Sequence, residues 1–594
     1  MAIWAAAGIA DGDKLDRSAT RRVLRRTLAM IRPYRRRAVA ALSLLLVFSL
    51  TGMAGPLLVR RAIDQGLTVG DRSALNESIA GYVVVAVLAY LTFRGAIASL
   101  ALVGEGFLRD LRLKVFGRML DQSMPFYDSY ETGVLVSRMT SDVDSLQTLV
   151  QLGLLMFVSA AFVLVTALIT LIVLDPLLLV LCLSTMPVVI VASVRFHRAS
   201  NRAYLAVRDR VGTTLSSLQE GISGVRVVQA FAREEVQIDR FAATNRDLYL
   251  THMKSVKIGA WYLPIVEMAG ALSIALSVGL GGWMVRDGRL TLGTVAAFVL
   301  ILQAMFGPIQ QLSQLFNMVQ SATAALHKLY GLIDEPIAVA SPDEPVAPGD
   351  GRIELERVSF EYEAGEPVLS DVTLTIEDGE RIAFVGSTGA GKSTVAKLIA
   401  RFYDPVDGTI TMGDVDLRAV DVGALRQRIV VVPQEGFLFA GSITDNVRLA
   451  RPEATDREVR DALARIGVLE VFERLPEGLA TEVQERGSRL SAGEKQLVSL
   501  ARAALADPRV LILDEATSSV DPGTESIVEA ALESLMDGRT VIAIAHRLST
   551  SERCDRVAVF EAGRLAELGS HDDLVAEGGR YADLFATWTA GLAG

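Results

Sequence analysis

The apolar residues of this chain are gathered into its first 334 positions, and that segregation limits the fold more than any single motif. No charged residue lies between Ala38 and Val59, a run long enough to cross about 30 Å of hydrocarbon as a helix. A second apolar stretch covers Ile79 to about Val103, interrupted by Arg94, and a third covers about Leu149 to Leu174. Asp175-Pro176 ends the third, and a fourth continues to Val194. Ile258 to Val285 forms a fifth, broken only by Glu267, and Leu290 to Leu326 a sixth. The hydrophobic fraction is 51% and mean hydropathy +0.36, yet charged residues keep an ordinary 22%. A divided chain reconciles these numbers: an all-α membrane domain of six spans, followed by a water-soluble domain.

Basic residues set the orientation. The segment Arg21 to Arg37 is strongly positive and belongs on the cytoplasmic side. Its spacing suits a helix lying in the membrane interface, with a solvated basic tail as the alternative. Segments 104–148 and 195–257 are rich in arginine, whereas loops 64–78, 175–176 and 286–289 have few. An even number of spans then returns the C-terminal domain to the cytoplasm. The expected location is a bacterial inner or plasma membrane, multi-pass. The first twenty residues read as a tail without a signal peptide. The arginine-rich segments are helical in pattern and extend the spans about 20 Å into the cytoplasm.

Charge and cysteine content remove other classes. Net charge is −10, so nucleic acid is not an expected partner. Cys182 and Cys554 fall in separate domains, which argues against a disulfide or a metal site. Inside the membrane domain, Gln303, Gln310, Gln314 and Asn317 fall close to one face of the sixth span. Such amides line either a substrate cavity or a seam between helices. Glu267 is an isolated carboxylate in the fifth span. It faces an aqueous cavity or sits near the cytoplasmic water level.

The domains are then a tail (1–20), a membrane domain (21–334), a linker (335–350) and a soluble α/β domain (351–594). The linker stretch Glu335 to Gly351 is rich in proline, acidic and small residues and has the composition of a flexible connector. After it, IELERVSFEY and ERIAFVG read as strands. The second strand runs into Gly386, Ser387, Thr388, Gly389, Ala390, Gly391, Lys392, Ser393 and Thr394, and VAKLIARF follows as a helix. Strand, glycine-rich loop and helix in this order form a phosphate cradle, because backbone amides and a helix N-terminus bind anions without mobile charge. Lys392 supplies a cation for the β- and γ-phosphates of ATP, and Ser393 a hydroxyl for Mg²⁺. Farther on, Val510, Leu511, Ile512 and Leu513 mark a buried strand ending in Asp514 and Glu515. Asp514 suits the Mg²⁺ shell, and Glu515 the general base that polarises water.

Six pieces occur in fixed order: Tyr362, GSTGAGKST, Gln434, LSAGE (Leu490 to Glu494), LILDEA (Leu511 to Ala516) and His546. Together they resemble the nucleotide-binding domain of the ATP-binding cassette (ABC) family. With FYDSYETGVLVSRMTSDVDS (Phe126 to Ser145) and GVRVVQAFAREEVQIDRF (Gly224 to Phe241), the chain after about residue 20 resembles a six-helix ABC exporter half-transporter. That resemblance implies a P-loop NTPase fold, ATP and Mg²⁺ as cofactors, and an ATPase coupled to export of an unidentified substrate. It also implies that the two quoted segments flank short helices touching nucleotide domains.

The resemblance assigns Tyr362 to adenine stacking, with Phe360 as its rival. It gives Gln434 the role of sensing Mg²⁺ and the attacking water, and His546 a γ-phosphate contact. Ser491 and Gly493 become signature residues acting on the nucleotide of a second domain, with Asp521 at the same interface. One chain offers one loop and one signature, so a dimer is implied. The family signature reads LSGGQ, whereas Ala492 and Glu494 stand here, and Gln484 replaces a usual glycine. These departures beside intact Glu515 and His546 favour the catalytic half of a heterodimer over a homodimer. An ATP-gated channel or regulatory subunit is the rival class, which Glu515 argues against.

Overall fold

The computed structural model describes residues 17–592 except 435, 485–486, 488, 515–521 and 546–547; some helical side chains, Gln310, Gln314 and Asn317 among them, are also undescribed. The chain divides into two compact units, residues 1–121 with 131–335, and residues 122–130 with 336–594.

The first unit is helical. Helix Arg17–Ile31 buries Val23 and sets the Arg26 guanidinium 4.4 Å from the centre of the Tyr330 ring. Arg21, Arg22, Leu24, Arg25 and Leu28 stay exposed, the two-sided pattern that an interfacial helix requires. Five described helical segments are long and apolar enough to span a membrane: Arg21–Thr68, Arg72–Leu120, Thr132–Leu174, Pro176–Ser223 and Glu234–Arg286. The sixth helix, Leu292–Asp334, is continuous, and its described apolar stretch is Leu292–Pro308.

Local chemistry sets the breaks. Asp175 accepts the Leu178 N–H at 2.7 Å and Pro176 occupies the first helical turn, so a new helix starts where the third span ends. Buried hydroxyls join helices inside the unit, with Ser49 to Thr166 at 2.7 Å and Thr185 to Ser273 at 2.6 Å. Asp64 accepts the Gly293 N–H at 2.8 Å and the Thr291 hydroxyl at 2.6 Å, tying the end of the first span to the start of the sixth.

The helix extensions exceed the sequence expectation. Helices Arg72–Leu120 and Glu234–Arg286 contain 49 and 53 residues, or about 75 and 80 Å of axis. Beyond the apolar runs, residues 104–120 and 234–257 of these helices continue for about 25 and 36 Å, against the roughly 20 Å expected. Uncharged runs measure only the lipid-facing part of a helix, and its polar continuation has no such marker.

The second unit holds two sheets. Strands β1 (Ile353–Glu361), β2 (Pro367–Ile376), β4 (Asp407–Met412) and β5 (Val415–Asp416) form an antiparallel sheet ordered β2-β1-β4-β5. The other sheet uses β3 (Arg381–Val385), β6 (Ile429–Val432), β7 (Val510–Asp514), β8 (Thr540–Ile544), β9 (Arg556–Glu561) and β10 (Arg564–Gly569). Its order is β10-β9-β3-β8-β7-β6, parallel except for β10 against β9. Central strands β3 and β8 are almost wholly buried, as their continuous apolar sequences require of a sheet covered on both faces.

The linker is bound rather than free. Buried Arg401 donates to the carbonyls of Ala340 and Val420, and Ser341 donates to Asp421 at 2.8 Å. Val346 pairs with Val420. Composition alone suggested a flexible connector, but side chains distant in sequence satisfy its backbone.

Candidate nucleotide site

Sheet register places the motif ends together. Phe384 of β3 lies beside Ile544 of β8, and Ile544 beside Asp514 of β7. Neighbouring strands are about 4.8 Å apart, so the carboxyl ends of β3 and β7 stand roughly 10 Å apart at one edge. The glycine loop leaves β3 at that edge. Gln434 follows β6, whose Val432 pairs with Leu513 next to Asp514. Topology therefore gathers the loop, Asp514 and Gln434. Glu515, Asp521 and His546 lie outside the described residues.

The loop fits a polyphosphate. Gly386 and Gly391 have φ values of 142° and 101°, in the region that favours glycine. A β-carbon on Gly386 would meet the Phe560 carbonyl oxygen at 2.2 Å, and one on Gly391 would meet Leu369 at 2.5 Å. Lys392 is buried, and its ammonium donates to the carbonyls of Gly386 (2.8 Å) and Ser387 (2.9 Å). The loop thus curls about one cation. Ser387, Thr388 and Gly389 remain exposed, as does Ser393 at the start of helix Lys392–Ile399. Ala390 is buried under the loop. A cation, a helix N-terminus and left-handed glycines form an anion cradle.

Tyr362 and its rival part company in burial. Phe360 is 6% exposed and belongs to the core, whereas Tyr362 is 43% exposed. The Tyr362 hydroxyl lies 3.2 Å from Thr394 Oγ1, so the exposed ring is fixed beside the loop's helix. Edge-on contacts with Phe360 and Tyr403, at 4.9 and 5.3 Å between centroids, support it from behind.

The signature forms the start of helix Ala492–Ala506. Ser491 Oγ accepts the Glu494 N–H at 3.2 Å, and Glu494 accepts the Ser491 N–H at 2.7 Å. This reciprocal cap gives Glu494 a structural task that glutamine performs equally well. Ser491 and Ala492 are exposed and Gly493 is buried. Gln484 has φ +52°, a left-handed conformation where its glycine counterpart would be relaxed. From the same helix, Arg502 donates to the Phe437 carbonyl at 2.7 Å and to Asn446 Oδ1 at 2.8 Å. That bond joins the signature helix to the segment following Gln434. Its sequence signal was the run SITDNV, where Ser442 and Asp445 cap a helix carrying buried Asn446.

One site-linked residue gave no sequence signal, although its partner lies in the segment Phe126 to Ser145 that the resemblance had marked as a contact. Tyr403 is buried and donates its hydroxyl to Asp128, 275 positions earlier. Burial, reinforced by that carboxylate, pushes the Tyr403 phenol well above its usual value. In the membrane unit Glu267 and Gln303 are both exposed, so neither is committed to a seam within the chain.

Comparisons with known proteins agree with this architecture. Residues 39–309 match the family model of the ABC transporter transmembrane region, and residues 369–518 that of the ABC transporter. An ATP-dependent lipid A-core flippase of Syntrophus aciditrophicus is 34% identical over 94% of this chain and 93% of its own. A multidrug efflux ATP-binding/permease protein of Mycobacterium bovis is 35% identical over 93% of this chain, which spans 47% of that protein. The structure of a bacterial Atm1-family ABC exporter with ATP bound aligns with TM-score 0.79 and 28% identity, covering 93% of this chain and 98% of that one.

Proposed function

The chain belongs to the ABC transporter family, as an exporter whose ATPase is coupled to transport across the membrane, and from that premise we propose that two identical copies export an amphipathic small molecule or lipid. The observation that carries a dimer is an exposed membrane-domain tip, and the flippase relative, matched over 93% of its length as a single chain, favours identical copies. Residues 122–130 cluster with this chain's own nucleotide unit, and Phe126 there is buried. The second tip, around helix Val225–Ala230, leaves Ile222, Val227 and Phe231 at 64, 62 and 72% exposed. Three large apolar side chains exposed within ten residues call for a cover, and a second copy supplies one. The heterodimer expectation rested on a drifted signature. The Ser491–Glu494 cap gives Glu494 a structural task, which weakens that support, while Ala492 and Gln484 stay as departures.

In this reading each ATP is held by the loop of one copy and the signature of the other. Lys392 and the loop amides bind the phosphates, Tyr362 stacks on adenine, and Ser491 and Gly493 approach from the partner copy. No cluster of three or more metal-ligating side chains is built among the described residues. Ser393 and Asp514 would therefore hold Mg²⁺ together with phosphate oxygens and water, the usual manner of that ion. Glu515 acts as base, His546 contacts the γ-phosphate, Asp521 lines the interface, and Gln434 relays the state of the site. The substrate class is supported by the printed activities of the two relatives, multidrug efflux and lipid A-core flipping.

Cross-linking tests the dimer. In a background lacking Cys182 and Cys554, copies carrying Val227→Cys and one tag are mixed with copies carrying Phe437→Cys and another. With ATP, a bismaleimide should join the two tags. Adducts confined to single copies would refute the arrangement. Mass spectrometry of lipid and drug-like ligands copurified with the transporter tests the substrate class; a hydrophilic peptide as the bound species would contradict it.

A further inference from the structure

Between the exposed Tyr362 ring and the first membrane-domain tip stands the buried Tyr403 side chain. The Tyr403 ring packs edge-on against Tyr362 at 5.3 Å and 90°, and against Phe360 at 5.5 Å. Lys397, on the helix that follows the phosphate loop, places its ammonium 5.5 Å from the Tyr362 centroid and 5.9 Å from that of Tyr403. On its far side the Tyr403 hydroxyl donates to the Asp128 carboxylate. Asp128 belongs to the tip helix Met124–Ser129, and Ser123 just before it accepts the Val339 N–H at 3.3 Å.

Tyr403 has little freedom of its own. Arg401, two residues earlier, is 3% exposed, has φ +50°, and donates to the carbonyls of Ala340 and Val420. The Phe402 N–H bonds to the Lys397 carbonyl at 2.9 Å, closing the end of the loop's helix. A ring clamped in this way transmits a displacement instead of absorbing it, because packed interiors are bistable rather than continuously deformable. When a base stacks on the open face of Tyr362, the supporting ring behind it is Tyr403.

We propose that Tyr403 is a positioning residue that conveys occupancy of the Tyr362 platform to the first membrane tip through its hydroxyl bond to Asp128. The proposal rests on the reading of Tyr362 as the adenine platform. It differs from a general role of the tip in coupling, because it names one bond and one direction of information. Asp128 is otherwise exposed, so the Tyr403 hydroxyl is what ties its carboxylate to the ring behind the platform.

Hydrogen exchange on the full-length transporter in nanodiscs, with and without the ATP analogue AMP-PNP and Mg²⁺, tests this. In the wild type AMP-PNP should slow exchange in residues 122–130 as well as in the phosphate loop. Tyr403→Phe keeps the ring and loses the hydroxyl. Loop protection should persist while the nucleotide-dependent slowing at the tip falls about tenfold or more, the scale of one hydrogen bond to a charged group. Asp128→Ala should match it, the double variant should add nothing, and Asp128→Asn should restore most of the effect because its carboxamide oxygen still accepts. A purely structural role would instead raise tip exchange equally with and without AMP-PNP. That result, or full nucleotide-dependent protection in Tyr403→Phe, overturns the proposal. Tyr362→Ala reads the platform separately: unchanged AMP-PNP affinity there overturns the adenine assignment, whatever Tyr403→Phe does.

Discussion

Replacing Ser491 and Glu494 one at a time separates a working signature from a decayed one. Ser491→Ala removes the hydroxyl that caps Glu494 N–H at 3.2 Å, a loss of about 0.5–2 kcal/mol at the helix start. In the proposed dimer it also removes the donor offered to the γ-phosphate of the partner copy's ATP. A hydrogen bond to a charged group is worth about 1.5–3 kcal/mol, so turnover should fall about 10- to 150-fold. Glu494→Gln behaves differently, because the carboxamide oxygen still accepts the Ser491 N–H that Glu494 now accepts at 2.7 Å. Only the charge at the helix N-terminus is lost, worth about 0.3–1 kcal/mol, and ATPase should stay within about fivefold. The assay is ATPase against ATP concentration for purified transporter in nanodiscs, with surface expression measured beside it. A tenfold gain in Glu494→Gln would mean that glutamate impairs the signature, restoring the case for a heterodimer. A loss under threefold in Ser491→Ala would refute the signature role itself.

Three further outcomes follow from the same geometry. Glu515→Gln should bind ATP yet lose most turnover, since water keeps its place without an effective base; wild-type ATPase in the purified dimer would reject the assignment. Gln484→Gly should relieve the backbone at φ +52° and raise stability by about 1 kcal/mol, or about 2–4 °C in thermal unfolding of the nucleotide unit; an unchanged or lower Tm would count against strain there. Bulky or charged substitutions at Gly133 and Gly224 should lower transport into inverted vesicles while ATP binding survives. A β-carbon at Gly133 meets nothing within 4 Å, so its variants should reach the membrane in normal amounts; normal transport by a well-expressed double variant would contradict coupling through these segments.

The phosphate loop was legible because it is encoded locally: an apolar strand, glycines at left-handed positions and a helix start lie within about fifteen residues. The spans were legible for a similar reason, since lipid demands an unbroken apolar run. What escaped was whatever depends on distant partners. Nothing near Tyr403 announces Asp128, and the linker's order comes from Arg401 donors meeting carbonyls. Gln484 and Glu494 looked like drift in sequence. In the structure one occupies a strained backbone position and the other completes a helix cap, so similar-looking departures have opposite physical meanings. Gln303 and Glu267 are both exposed, so neither is taken up by a seam within the chain.

The central claim is that two copies of this one chain make a complete ATP-driven exporter. Mass-resolved nanodiscs containing only this protein test it most directly, with ATPase and occluded nucleotide measured on the same sample. The account predicts particles with two copies, Mg²⁺-dependent hydrolysis, and two ATP trapped per particle in Glu515→Gln. An inactive preparation of well-folded dimers, or hydrolysis by particles holding a single copy, would contradict it.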